Sequence, residues 1–309
     1  MGTARQPPLG GGESLRTIVI ALLANAGIAA AKFVAAALTR SSAMLAEAIH
    51  ATADTGNQVL LLVADRRARQ PADETHPLGF GREAYFWALV AALGMFLTGA
   101  LLSVRQGIME LFHPVRVSSP LAAYTVLGIS FCLDGMSLWR AYRQLKTEAA
   151  RLELDFLEHF DRSSDPVGRA VFAEDAVAMV GNVVAFAGIT IDQVTGSAIP
   201  DAVAALIIGL CLAVVALDLT RRNRDFLVGR QASAAFRNGL CQLISRQPGV
   251  TAIDELWVTF VGPRRLWVVA RIQTDDALDG RAMKRLLRAT EQAVQAQSTT
   301  LERVDLIPS

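Results

Sequence analysis

The stretch "AEAIHATADTGNQ", residues 46–58, decides how this chain is read. It lies in an apolar segment, about 42–64, close to the length of a membrane span. Within it stand Glu47, His50, Asp54 and Asn57. At about 100° per residue of α-helix these four fall in a stripe roughly 80° wide, so they face one direction. Ionisable groups inside a bilayer are costly unless they face protein, water or an ion. His50 and Asp54, at i and i+4, offer two ligand-capable groups from one rigid face. A buried hydrogen-bond network pinning helices together is the competing reading. Glu47 and Asn57 fit either that network or an orienting role behind the ligands.

The surroundings place this stretch in a membrane protein. The chain has 309 residues, of which 52% are hydrophobic and 19% charged; soluble domains carry about 25% charged residues. Hydropathy predicts six spans, at about 15–38, 42–64, 84–111, 119–139, 168–191 and 200–220. The loops after the second, fourth and sixth spans carry most of the arginines and lysines, among them Arg66, Arg67, Arg69, Arg140, Arg143, Lys146, Arg221 and Arg222. Positive loops stay cytoplasmic, so both termini are expected inside. The net charge of +1 offers no field for nucleic acid. Cys132, Cys211 and Cys241 are far apart, which argues against a disulfide framework or a thiolate zinc knuckle.

The ends differ from the middle. Residues 1–14, "MGTARQPPLGGGES", are rich in Pro and Gly and are expected to be disordered. Residues 15–225 form the expected six-helix membrane domain, and 226–309 a small domain outside the bilayer. In the latter, "SAAFRNGLCQLISRQ" reads as an amphipathic helix. "TAIDELWVTF" and "RLWVVARIQT" read as a hairpin turning at "VGPR". "DGRAMKRLLRATEQAVQAQ" reads as a helix capped by Asp279, and "LERVDLI" as a last strand. The predicted fold class is therefore an all-α bundle of six transmembrane helices with an α-β-β-α-β, α+β, C-terminal domain.

A second acid cluster lies in the fifth predicted span, "AVFAEDAVAMVGNVVAFAG". Glu174 and Asp175 are neighbours, so their side chains diverge by about 100°. Asp175 shares a face with Asn182 and is expected to point into the bundle. Glu174 is expected to point to a neighbouring helix, a water-filled cavity or the span end. Asp134, in the fourth span, is either a residue of an ion path or a partner for Lys32, and the sequence does not choose. His113 and His159 fall in predicted loops and are expected at the surface.

Three segments together resemble the cation diffusion facilitator family, the zinc-transporter-type efflux proteins. "SSAMLAEAIHATADTGNQ" looks like its second span with His-x-x-x-Asp. "HPLGFGREAYFWAL" looks like the His-Pro-x-Gly approach to span three. "EDAVAMVGNVVAFAG" looks like the Asp-x5-Gly portion of span five. "EAIHATADTGNQ", "SSDPVGRAVFAEDAVAMVG" and "GIMELFHP" look most like the zinc transporter nine-like branch. The resemblance runs over nearly the whole chain, including the αββαβ tail. It implies a transport site between spans two and five, formed by His50, Asp54 and Asp175. Val171 stands where most members have a histidine. A tetrahedral zinc site then needs a fourth donor from Glu174, Asn182, Asp134 or water. An oxygen-richer set relaxes the preference for zinc, so a divalent transition metal is expected, zinc first, with manganese, iron or cobalt open.

The resemblance further implies efflux of a divalent metal in exchange for protons, a homodimer held partly by the tail, and no catalytic cofactor. A second metal site in the loop after span two would use Asp73 and His76, but Phe80 replaces its other histidine. The tail has no histidine, which favours a dimerisation platform over a metal sensor. A transport-inactive, metal-responsive membrane partner is the alternative. His-Glu-x-x-His and Gly-x-Ser-x-Gly are both absent, which argues against an intramembrane protease. The sparse arginine of the N-terminal tail favours a bacterial cell membrane over a mitochondrial one.

Overall fold

The computed structural model describes residues 15–151, 155–275 and 277–309; the tail expected to be disordered, 1–14, lies outside them. Long helices dominate: α1 (Leu15–Thr39), α2 (Ser42–Ala68), α3 (Glu83–Gly94), α4 (Leu101–Phe112), α5 (Pro120–Arg151), α7 (Pro166–Thr195) and α8 (Ile199–Val228). A π-helical stretch, Met95–Ala100, joins α3 to α4. A short α6 (Phe156–Arg162) precedes α7. Among the described residues five helices are long and apolar enough to cross a membrane, α3, the π stretch and α4 counting as one. α2 is not one of the five. Its 27 residues give about 40 Å, ample for a bilayer, but Glu47, His50, Asp54 and Asp65 make it too polar. α5 and α8 run past the predicted ends, 139 and 220, to Arg151 and Val228, because the Arg- and Glu-bearing segments there are good helix formers.

The chain divides into two compact units. The first contains Met1–Leu60, Ala91–Ala141 and Val171–Asp218. Its helices turn large apolar side chains outward, among them Leu23, Leu38, Leu97, Leu121 and Val214. Inward they turn alanines, including Ala46, Ala48, Ala123, Ala185 and Ala205. Small residues let helices approach closely, the packing expected where lipid, not water, is outside.

One buried residue sets the start of α2. Asp201, at the beginning of α8, is 1% exposed. Its carboxylate accepts from Ser41 Oγ (2.6 Å), Ser42 N (2.6 Å), Ser42 Oγ (3.1 Å) and Ala43 N (3.3 Å). The first amides of a helix have no intrahelical acceptor, so this cap, supplied from another helix, satisfies them. Arg40, at φ 57°, makes the sharp turn between α1 and α2.

The second unit contains Leu61–Val90, Tyr142–Ala170 and Leu219–Ser309. Its sheet has the order β1-β2-β3, with β1 (Val250–Gly262) antiparallel to β2 (Arg265–Thr274) and β3 (Leu301–Pro308) parallel to β2. Helices α9 (Ala234–Ser245) and α10 (Gly280–Gln295) complete the expected α-β-β-α-β order. Leu266, Val268, Ala270 and Ile272 alternate inward along β2 and meet Leu240, Ile244 and Val294 in one core. Asp279 caps α10 as expected, accepting from Ala282 N at 2.6 Å. Gly81 passes so near the backbone of Val261 and Gly262 that a methyl group there would collide with main chain.

One expectation of exposure fails. His159 is buried in α6, with Nε2 3.6 Å from Glu148 Oε2. Asp155 caps this helix through Leu157 N, a signal that hydropathy passes over. Arg169, just inside the fifth predicted span, is fully buried in α7 and stacks over the Phe226 ring at 5.4 Å. His113 caps the C-terminus of α4 and is exposed, as expected.

Candidate functional site

The site residues of the first unit come from α1, α2, α5 and α7. On α2, Glu47, His50 and Asn57 are buried and Asp54 is half-buried. His50, Asp54, Lys32 and Asp134 line one small cavity of about 20 Å³, together with Asn25, Ile28, Ala51 and Ala178. That is room for about one water-sized particle. His50 Nδ1 is buried without a hydrogen-bond partner. Asp54 accepts from Gln58 Nε2 (3.4 Å), and Gln58 in turn accepts from Asn25 Nδ2 of α1 (2.7 Å).

On α7 the two adjacent acids separate, as the helical angle requires. Glu174, 2% exposed, accepts a hydrogen bond from Asn57. Asp175 turns instead to α5, where it accepts from Ser137 Oγ at 2.7 Å. Thus Glu174 is the acid that meets α2, while Asp175 stands behind it. Asn182 Nδ2 donates to Asp134 Oδ2 at 2.8 Å. Lys32 pairs with Glu47 Oε2 at 2.8 Å and reaches Asn182 Oδ1 at 3.4 Å. The choice left open for Asp134 therefore has a third answer: Asn182 bridges it to Lys32.

Among the described residues no three His, Cys, Asp or Glu side chains converge closely enough to hold a metal ion. Asp175 is held by Ser137 and Glu174 by Asn57. Ser137 and Gln58 were not anticipated. Ser137 lies three residues after Asp134, so the helical period could have flagged it.

In the loop after α2, Asp73 and His76 do come together, with Nδ1 3.3 Å from Oδ1. They form an exposed turn in which Asp73 Oδ1 also accepts from Thr75 Oγ1 (2.8 Å) and His76 N (2.6 Å). The Thr75 hydroxyl, then the His76 amide, hold the Asp73 carboxyl below its usual range. Phe80 packs on the His76 ring at a centroid distance of 4.2 Å, where a second imidazole would be needed.

Apolar helices thus enclose a small polar cavity that bears an imidazole. The chain belongs to the cation efflux family, whose transmembrane domain matches residues 18–228, and it is an integral membrane protein. It is 30% identical over 270 residues to the proton-coupled zinc antiporter SLC30A9, mitochondrial, of Homo sapiens, covering 87% of this chain and 47% of that protein. It is 29% identical over 251 residues to metal tolerance protein C4 of Arabidopsis thaliana, covering 81% of this chain and 55% of that one. The chain thus spans about half the length of these curated relatives. A solved variant of the MamM CTD is similar at 21% identity and a TM-score of 0.23, covering 24% of this chain and 90% of that one.

Proposed function

We propose that this protein exports a divalent transition-metal ion, zinc first, in exchange for protons. His50 and Asp54 supply the α2 half of the site, and Glu174 and Asp175 the α7 half. Manganese, iron and cobalt are further candidate cargoes, because oxygen donors outnumber nitrogen. Six spans, counting α2, would carry both termini on the cytoplasmic side. Residues 15–225 would form the transport domain and 226–309 a dimerisation domain, in a bacterial cell membrane.

The observation that carries this reading is a buried imidazole, His50, whose Nδ1 has no partner and which shares a small cavity with Asp54. Metal ligands must be deprotonated, so a metal entering between α2 and α7 expels ligand protons, and protonation expels the metal. A rotation of Asp175 away from Ser137 would add a second α7 oxygen. Val171, four residues before Asp175, supplies no donor, and this supports the second reading, a partner protein that no longer transports.

Flux in proteoliposomes separates the two readings. With the membrane potential clamped, zinc accumulation is expected to rise with an acidic lumen. The gain is up to about tenfold per pH unit for each proton exchanged. Zinc accumulation indifferent to the pH gradient would overturn the antiport, and no accumulation at all would favour the inactive partner.

A further inference from the structure

We propose that Lys32 is a tethered cation that occupies an oxygen cage beside the transport site and so determines which metals the site accepts. The inference deepens the proposed transport reading and rests on His50 and Asp54 facing the cargo. Lys32 is 2% exposed on α1. Its ammonium donates to Glu47 Oε2 of α2 at 2.8 Å and to Asn182 Oδ1 of α7 at 3.4 Å. Asn182 donates to Asp134 Oδ2 of α5 at 2.8 Å. The ammonium of α1 therefore meets α2 and α7 directly and is linked to α5 through Asn182.

A plain structural ion pair would need one acid. Here one buried carboxylate and an amide oxygen hold the positive charge directly, and a second, half-buried carboxylate, Asp134, lies one hydrogen bond beyond them on Asn182. The second oxygen of Glu47, Oε1, is buried and without a partner. It lies where a side chain at position 181 would begin, and the space exists because Gly181 has none. The pair is also not remote from the cargo: Lys32 and Asp134 line the same small cavity as His50 and Asp54.

Carboxylate and amide oxygens without nitrogen or sulfur suit hard cations such as manganese or magnesium, whereas imidazole suits zinc. With the ammonium in place, the Glu47 carboxylate is neutralised and the Asn182 oxygen occupied, which closes the cage to a second ion. The imidazole-bearing side of the cavity remains for the cargo. Lys32 thus acts as a selectivity determinant by excluding harder cations.

The test measures manganese bound by the purified full-length protein, by equilibrium dialysis and elemental analysis, alongside manganese and zinc flux. Lys32→Met is expected to retain about one more manganese than the wild type, and its manganese-to-zinc flux ratio is expected to rise. The double variant Lys32→Met with Glu47→Gln removes both charges and is expected to return manganese retention to the wild-type level. Should Lys32→Met fail to fold, Lys32→Gln keeps a donor toward Glu47 without the charge and carries the same expectation. Unchanged manganese retention in the folded single variant overturns the proposal. So does a double variant that behaves like the single one, the pattern of a mere helix clamp. Zinc flux of the wild type that survives His50→Ala would overturn the transport site instead, because manganese retention is read without transport.

Discussion

Replacing His50 with alanine is expected to lower zinc flux into proteoliposomes by at least about 100-fold, since loss of groups that merely orient ligands already costs 10–100-fold. His50 is one of four histidines in the chain, and the other three, His76, His113 and His159, lie outside the cavity beside α2. Val171 offers no replacement on α7. The effect on folding should be small by comparison. His50 Nδ1 holds no partner in the protein, so the substitution loses packing of about 1–2 kcal/mol and strands no donor. Flux and thermal unfolding measured on the same preparation separate the two losses. A His50→Ala protein that transports zinc like the wild type would remove the imidazole from the mechanism.

Asp201→Ala is expected to be the most destabilising single change near the site. Its carboxylate is the shared acceptor of the Ser41 and Ser42 hydroxyls and the Ser42 and Ala43 amides. Removing it leaves buried donors without partners, at about 1–3 kcal/mol each. Some hydroxyls will turn to other acceptors, so the expected loss is about 3–5 kcal/mol. Asp201→Asn keeps one oxygen and should lose less. Since α2 starts at this cap and carries His50 two turns later, flux should fall with stability. Thermal unfolding of the detergent-solubilised protein checks the order wild type, Asn variant, Ala variant. An alanine variant that melts with the wild type would show that water or a neighbouring group already satisfies the turn.

Much of this architecture is written in local patterns. Apolar runs of span length place the long helices to within a few residues, except where the Arg-rich ends of α5 and α8 continue as helix. Alternation along 266–272 and the cap at Asp279 place the tail elements. The π-helical stretch Met95–Ala100 left no such mark, because its composition, "MFLTGA", is that of an ordinary apolar helix.

The stripe of Glu47, His50, Asp54 and Asn57 is legible because a helix has one period. What the stripe meets is not, because that depends on helices distant in sequence. Glu47 meets Lys32, Asn57 meets Glu174, and Asp175 meets Ser137, across separations of 15, 117 and 38 residues. Asp201 is hidden for the same reason: it stands at the edge of the sixth predicted span, and only folding brings it 2.6 Å from Ser42 N, 159 residues away.

The central claim is that α2 and α7 together hold the cargo through one imidazole and several carboxylates. X-ray absorption at the zinc edge of the zinc-loaded protein tests it most directly. The expected spectrum has nitrogen and oxygen neighbours at about 2.0–2.2 Å and no sulfur near about 2.3 Å. Its imidazole signature should be lost in His50→Ala. A sulfur shell, or an imidazole signature unchanged in that variant, would contradict the claim.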